Sequence, residues 1–222
     1  MNFFRATISF LAVPLLLSAC VVNAPPQVEK TPDGLVRVIS KQVDTVYAAR
    51  GVSLASYKRV MLDPVDLAFK LDWQKRHPEV TASDVTRIRS QGAAVFNEIF
   101  TTALSGNNGY PITTQPAPDV LRITASITEL DVAARPGPAG TVGTQQMYVV
   151  SPADLALHME LRDSESGALL VRAIDREKGR TSGNLQVVGS VENSAEARRA
   201  LEMWAGLLRK ALDDARAAPP PP

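Results

Sequence analysis

The 222-residue sequence contains one cysteine and two histidines, and aromatic residues make up 5% of it. A single cysteine excludes an internal disulfide, so we expect the fold to depend on an aliphatic core. A zinc site needs about four protein or water ligands, and two isolated histidines do not suggest one. The sequence also lacks a Gly-x-Ser-x-Gly element. It therefore predicts no metal, no cofactor and no nucleophilic catalytic group.

The sequence also has almost no net charge. The chain has 24 Lys and Arg against 23 Asp and Glu residues. If a leader containing Arg5 is removed, these numbers become equal. Neither nucleic acid nor an anionic membrane surface would be attracted by such a balance, and we expect no nucleic-acid partner.

A long hydrophobic run is absent, but a short one opens the chain. Arg5 precedes an apolar stretch from Ala6 to Leu17, which is shorter than the roughly 20 residues that a membrane span needs. A charged start, a short apolar centre and small residues before a cleavage point are typical of an export signal. We therefore interpret residues 1–19 as a signal peptide.

The end of this segment, Leu17-Ser18-Ala19-Cys20, resembles the bacterial lipobox. The resemblance implies cleavage between Ala19 and Cys20, and attachment of diacylglyceryl and acyl groups such as palmitate to Cys20. Several long chains anchor firmly, since each buried methylene adds about 0.8 kcal/mol. Val21, in place of aspartate, favours the outer membrane of a Gram-negative cell. An ordinary secretory signal with a chance cysteine is the alternative interpretation.

The remaining chain is predicted to be one domain with two tails. Residues 20–34 form an extended tether because Pro25, Pro26 and Pro32 disfavour regular structure. Residues 35–217 form a single domain, and residues 218–222 a stiff proline tail.

Two helices are predicted from apolar residues at helical spacing. The first covers Thr81 to Leu104, with Thr81 and Asp84 as a capping box, and ends at the Gly106–Gly109 turn. Gly92 lies on its apolar face and allows a strand to approach closely. The second helix begins after a cap at Asn193, with Glu196 at the reciprocal position.

The strands are predicted from alternation of apolar and polar residues, most clearly at 121–128. The predicted strands and extended segments are 57–65, 66–78 (strand or extended loop), 110–113, 121–128, 155–162, 169–175 and a short strand at 185–188. The segments 155–162 and 169–175 form a hairpin around the turn Asp163–Gly167. The fold class is therefore α+β: a two-layer sandwich with a mostly antiparallel sheet and two amphipathic helices packed on one face.

Several residues were weighed as sites, and each has a structural interpretation that we favour. His158 falls on the polar face of its strand, and His77 precedes a proline in a loop. The glycine-rich segment 137–143 lacks the helix and lysine of a phosphate-binding loop. Trp73 and Trp204 are interpreted as core anchors.

The hairpin carboxylates are the remaining candidates for chemistry. Asp163, Glu165, Asp175 and Glu177 could act in pairs, as glycosidases use two carboxylates about 5 to 9.5 Å apart. Basic residues are interleaved with them: Arg162, Arg172, Arg176 and Lys178. A salt-bridged polar face is the preferred interpretation, and no catalytic residue is assigned.

Three segments together resemble a known family. They are Asp33–Val36, Asp44–Tyr47 and Leu54–Val65 running on to Trp73. With the lipobox and the hairpin, they resemble the bacterial lipoproteins of domain-of-unknown-function (DUF) family 3313. The resemblance implies an envelope lipoprotein with no assigned activity, in which Cys20 is the lipid attachment point.

Three functions remain open at this point. The first is a non-enzymatic outer-membrane lipoprotein that faces the periplasm and acts in envelope assembly, transport or maintenance by binding an envelope protein. The second is a module for a small apolar ligand or lipid, in a cavity lined by residues such as Phe96, Phe100 and Trp204. The third is a hydrolase that uses the hairpin carboxylates. The sequence leaves the partner and the oligomeric state open.

Overall fold

The computed structural model describes residues 29–135, 147–151, 155–176 and 190–218. The predicted signal peptide, the lipobox, the segment 137–143, the strand at 185–188 and nearly all of the proline tail lie outside these residues. No helix in the described ranges is long and apolar enough to span a bilayer.

The described chain forms strands and three helices, numbered here in chain order. The strands are β1 (Val36–Val38), β2 (Thr45–Ala48), β3 (Arg59–Leu62), β4 (Asp66–Phe69), β5 (Val120–Arg135), β6 (Met147–Ser151), β7 (Ala156–Asp163) and β8 (Leu169–Arg176). The helices are α1 (Trp73–Arg76), α2 (Ala82–Ser105) and α3 (Ser190–Ala217).

The sheet is mixed, which corrects the prediction of a mostly antiparallel one. Its strand order is β1-β2-β8-β7-β5-β3, with β4 and β6 also paired to β5. The neighbours β5, β7 and β8 are antiparallel, and the β7–β8 pair is the predicted hairpin. However, β3 and β4 both run parallel to β5. Parallel pairing joins strands through long connections, here containing α1 and α2, so short-range alternation could not reveal it.

The long strand β5 is paired on both sides along most of its length. On one side, β3 pairs with the first residues of β5 and β4 pairs with later residues. On the other side, β7 pairs with the first half of β5 and β6 pairs with its last residues. Between these halves Glu129 has a left-handed φ of 63°, and the register with β4 shifts there. An irregularity of this kind bends a strand, so it allows one strand to serve two sets of neighbours.

Both outer strands of the sheet's strand order have short flanking contacts. Beside β1, residues 29–34 of the predicted tether turn back, so that Lys30 bridges Val36 and Gly34 adopts a φ of 89°. Beside β3, the predicted strand at 110–113 is a single parallel bridge between Ile112 and Val60. Each outer strand is therefore partly covered by its own chain.

Helix α2 begins as predicted. Thr81 accepts a hydrogen bond from the backbone N–H of Asp84, while the Asp84 carboxylate accepts one from the Thr81 N–H. The close approach predicted at Gly92 is confirmed, since a Cβ atom there would lie 2.7 Å from a methyl carbon of Leu67 in β4. A larger residue at position 92 would therefore require the Leu67 side chain or the helix to shift.

The other end of α2 is closed by a side chain from α3. Arg209 Nη1 donates to the carbonyl oxygens of Ala103, Leu104 and Gly106 at 3.1, 3.2 and 2.7 Å. The last carbonyls of a helix have no partner within the helix, and a cation there also opposes the negative end of the helix dipole. This guanidinium therefore fixes α2 to α3.

Two predictions are corrected: helix α1 was not expected, and α3 begins earlier than expected. Residues 66–78, predicted as a strand or extended loop, contain β4 and then α1, which follows Asp72 in the left-handed region at φ 60°. Helix α3 begins at Ser190, so the predicted cap Asn193 lies inside the helix. A capping pattern is a local signal, and it gave the wrong boundary for a helix that extends further upstream.

The main hydrophobic cluster combines side chains from α2, α3 and the central strands. The predicted inward residues of β5 (Leu121, Ile123, Ala125 and Ile127) are all buried. Phe96 and Phe100 of α2 stack with ring centres 4.0 Å apart. A second, smaller cluster contains Trp73, Val80, Ile88 and Val132.

We predict that Arg209→Met lowers the free energy of unfolding by about 2–3 kcal/mol, because the carbonyls at the end of α2 lose a charged donor. Urea unfolding followed by circular dichroism measures this change. The control is Lys210→Met, which removes only an exposed pair with Asp214 and should change stability by less than about 0.5 kcal/mol. Equal effects of the two changes would contradict the capping role of Arg209.

Candidate functional site

An apolar pocket of about 130 Å³ lies between α3 and the sheet. The helix contributes Trp204, Leu207, Leu208 and Ala211 to its wall. These positions follow helical spacing, so they lie on one face. The sheet side consists of Val43, Val46, Leu157, Met159, Leu161, Val171, Ala173 and Asp175.

The pocket lies where the apolar face of the sheet extends beyond the densely packed core. Residues that lie directly opposite each other in paired strands have side chains on the same face of the sheet. On the apolar face, one row of such residues crosses the sheet from β1 to β5: Val38, Val46, Ala173, Met159 and Ala125. Ala125 and Met159 are buried, whereas Val38 is 42% exposed. The row is therefore well covered at the centre of the sheet and open at the β1 edge.

A buried carboxylate forms one end of the pocket. Asp175 Oδ2 accepts a hydrogen bond of 2.7 Å from the indole N–H of Trp204, and Oδ1 accepts one of 2.9 Å from the backbone N–H of Asp44. Asp175 thereby joins β8 to α3 and to the segment before β2. Both of its oxygens have donors, which is the condition for burying such a group without a large penalty.

The sequence placed Asp175 among surface ion pairs, and that interpretation was wrong. In β8 the residues Val171 and Ala173 face the pocket, and Asp175 has the same parity. Strand alternation alone would therefore have placed the Asp175 side chain on the buried face. The neighbouring arginines suggested a polar surface, but Arg172 has the opposite parity.

The opposite face of the sheet carries a cross-strand row of polar residues. The row runs Arg37, Tyr47, Arg172, Glu160, Thr124 from β1 to β5. We call this row, together with Asp33, Asp63, Arg122 and Arg162, the polar face. It confirms the predicted salt-bridged surface around the hairpin.

Glu160 is the centre of the polar face. Its carboxylate accepts hydrogen bonds from Arg162 at 2.6 Å and from Arg172 at 3.0 Å, and Arg172 also donates to Asp33 at 2.6 Å. Burial raises the pKa of Glu160, but the hydrogen bonds from the two arginines outweigh it, so the pKa is lower than its ordinary value. The carboxylate is therefore held in its charged form.

A second group of contacts extends the polar face across β5. Asp63, just after β3, accepts hydrogen bonds from Arg122 Nε at 2.8 Å and from the Thr124 hydroxyl at 2.7 Å. Near the turn of the β7–β8 hairpin, Tyr57 donates to Asp163 at 3.0 Å. Burial and this hydrogen bond raise the pKa of Tyr57 to about 12. Tyr57 is thus a neutral donor at physiological pH.

Among the described hairpin carboxylates, Asp163 and Asp175 do not come together as a catalytic pair. Asp163 ends β7, whereas Asp175 pairs with Leu157 near its start. Six residues of strand separate these levels, or about 20 Å, well beyond the spacing of glycosidase carboxylates. Glu165 is exposed in the turn, and Glu177 lies outside the described residues.

The other predicted positions are distributed as follows. Cys20 and Ala19 precede the described chain. His158 is exposed on β7, as predicted, while His77 lies 3.2 Å from Glu79 and 3.8 Å from Asp131. In the described ranges, no three or more His, Cys, Asp or Glu residues are grouped so as to hold a metal ion.

The two tryptophans are core anchors, as predicted. Trp73 is buried and donates to the Val132 carbonyl at 2.9 Å, and Trp204 is buried beside Asp175. Of the three aromatic residues predicted to line an apolar cavity, Trp204 borders the pocket described above. Phe96 and Phe100 pack against each other in the main cluster instead.

The family of the chain follows from a match over most of its length. The model of the family described as "Protein of unknown function (DUF3313)" matches residues 33–208. The chain belongs to this family. The matched region contains all of the polar face and every residue that lines the pocket except Ala211, which lies three positions beyond its end. No curated protein sequence matches the chain.

Solved structures show only a distant likeness to this DUF3313 chain. A PelC dodecamer from Paraburkholderia phytofirmans is 14% identical, with 74% of this chain and 97% of that chain covered and a TM-score of 0.33. A neuraminyllactose-binding hemagglutinin homolog from Helicobacter pylori is 10% identical, with 81% and 92% covered and a TM-score of 0.34. Such scores are too low to define a shared function or assembly.

We predict that Asp175→Asn destabilises the chain by about 1–3 kcal/mol. An amide has one acceptor oxygen, so its NH₂ group must face one of the two N–H donors that the carboxylate now satisfies. Chemical unfolding followed by tryptophan fluorescence measures the change. The control, Asp214→Asn, alters an exposed carboxylate and should have an effect below about 0.5 kcal/mol.

We also predict a pH-dependent contribution from Glu160. Because its pKa is lower in the folded chain, the stabilisation is present above its ordinary pKa of 4.5 and is lost as pH falls through the folded value. The thermal midpoint of wild type should therefore exceed that of Glu160→Gln most clearly near pH 7, and the gap should narrow below about pH 4.5. Thermal unfolding across pH tests this, with Glu165→Gln in the exposed turn as control. A gap that is constant with pH would contradict it.

Proposed function

We propose that the chain is a non-enzymatic lipoprotein of the outer membrane, facing the periplasm, which acts in envelope assembly, transport or maintenance by binding another envelope protein. The polar face is the observation that carries protein binding. Its arginines and Tyr47 are held in place by hydrogen bonds before any partner arrives. Arginine and tyrosine are enriched in protein interfaces, and preorganised side chains lose little entropy on binding.

The proposal includes a two-layer arrangement in which α2 and α3 both pack on the apolar face and leave the polar face open. The main hydrophobic cluster supports it, because residues of both helices share that cluster with the inward residues of β5 and β7. It also includes a lipid anchor at Cys20, which the sequence supports through its lipobox-like segment and the tether that follows.

The anchor and the partner are tested together by crosslinking native envelopes and identifying captured proteins by mass spectrometry. We expect the wild-type chain to fractionate with the outer membrane and to capture a specific envelope protein. Cys20→Ala should leave the membrane fraction and lose that partner. Retention of the Cys20→Ala chain in the outer membrane would argue against a lipid anchor at this residue.

A matched pair of arginines tests whether the polar face is the contact surface. Arg122 on this face and Arg198 on α3 have similar side-chain exposures, 47% and 44%, and each forms an ion pair on the surface. We expect Arg122→Ala to reduce capture of the partner at least about tenfold, a loss typical of a contact worth 1.4 kcal/mol. Arg198→Ala should have no such effect. Equal capture by both variants would rule out the polar face.

A further inference from the structure

We propose that the pocket under α3 binds one hydrocarbon chain of a membrane lipid. The pocket is a different surface from the polar face, so this inference does not depend on protein binding there. It depends on the proposed lipid anchor only for the claim that the hydrocarbon chain comes from a membrane lipid.

The lining of the pocket selects against polar ligands. Apart from Asp175 and the Trp204 indole N–H, the side chains that border the pocket are aliphatic or contain only the thioether of Met159. The carboxylate and the indole N–H bind each other, and the second carboxylate oxygen is occupied by the backbone of Asp44. A ligand therefore meets no unpaired side-chain donor or acceptor there, and burial of its apolar surface is the available driving force.

The size of the pocket fits the end of an unbranched chain. An apolar cavity of about 150 Å³ holds one benzene molecule, and this pocket measures about 130 Å³. A headgroup or a folded peptide would not fit. However, the row that lines the pocket continues from Val46 to Val38 at the open edge of the sheet. Val38 lies one strand further on, about 5 Å, and can cover more of a chain whose end is inserted.

The proposed anchor limits how far the pocket can lie from acyl chains. The described chain starts at Glu29, whose backbone carbonyl accepts a hydrogen bond from Arg37 of β1. This contact lies at the same sheet edge at which the apolar row opens. Cys20 precedes Glu29 by nine residues, which span about 28 Å when extended. A lipid on Cys20 would hold the open end of the pocket within that distance of the bilayer.

The binding experiment uses the full chain with Cys20→Ala, so that no attached acyl group competes, and 11-bromoundecanoic acid as the probe. Bromine quenches indole fluorescence on contact. Trp204 borders the pocket, whereas Trp73 belongs to the second hydrophobic cluster. We expect saturable quenching of part of the emission, reversed by undecanoic acid without bromine.

Two alanine-to-leucine changes provide the matched comparison. Ala211 and Ala94 are both exposed alanines in long helices, but Ala211 borders the pocket and Ala94 is not among its lining residues. Ala211→Leu should weaken binding at least about tenfold, because the added side chain fills an apolar pocket. Ala94→Leu should bind as wild type does. Quenching that does not saturate, or that is equal in the two variants, would overturn the proposal.

The source of the chain is tested with the lipid-bearing wild-type protein in vesicles of brominated phosphatidylcholine. Stronger quenching in wild type than in Ala211→Leu supports a membrane lipid as the ligand. Quenching by the free acid with no such difference in vesicles would overturn the membrane source. Because the first experiment uses the chain without an anchor, a failure of the anchor proposal and a failure of pocket binding are separately visible.

Discussion

The continuous pairing of β5 is the constraint on which the rest of the structure depends. This strand has hydrogen-bonded neighbours on both sides, parallel on one and antiparallel on the other, and Glu129 divides it into two halves. The main cluster gathers around its first half, and Val132 in its second half belongs to the smaller cluster with Trp73. A change that disrupted β5 would therefore affect both clusters and the strands on either side.

The two faces of the sheet are stabilised by different interactions. On one face, apolar residues of the central strands share the main hydrophobic cluster with residues of α2 and α3, whereas Val38 of β1 is 42% exposed. On the other face, charged residues of neighbouring strands form ion pairs, so Glu160 of β7 and Arg172 of β8 are held without burial in a core. Surface ion pairs contribute little to stability individually.

The parts predicted correctly from sequence are those with local causes. The alternation in 121–128 gave the buried residues of β5, and Thr81 with Asp84 gave the start of α2. The parallel pairing of β3 and β4 could not be predicted, because it joins residues about 60 positions apart. Helix α1 was missed because Leu67 and Phe69 alternate as in a strand up to the turn at Asp72. For the candidate site, the sequence identified Trp204 as buried. The pocket itself could not be predicted, because it depends on how far α3 extends over β2 and β8, and the spacing of apolar residues in the sequence does not contain this information.

The covered outer strands have a consequence for molecules that are crowded together. An exposed strand edge offers unpaired backbone groups to another copy of the same chain, and sheets can then join edge to edge. Here the turn before β1 and the Pro111–Ile112 segment beside β3 already occupy part of each edge. Copies that came close together would thus find part of each of these two edges already occupied, and pairing through the backbone of β1 or β3 would be disfavoured.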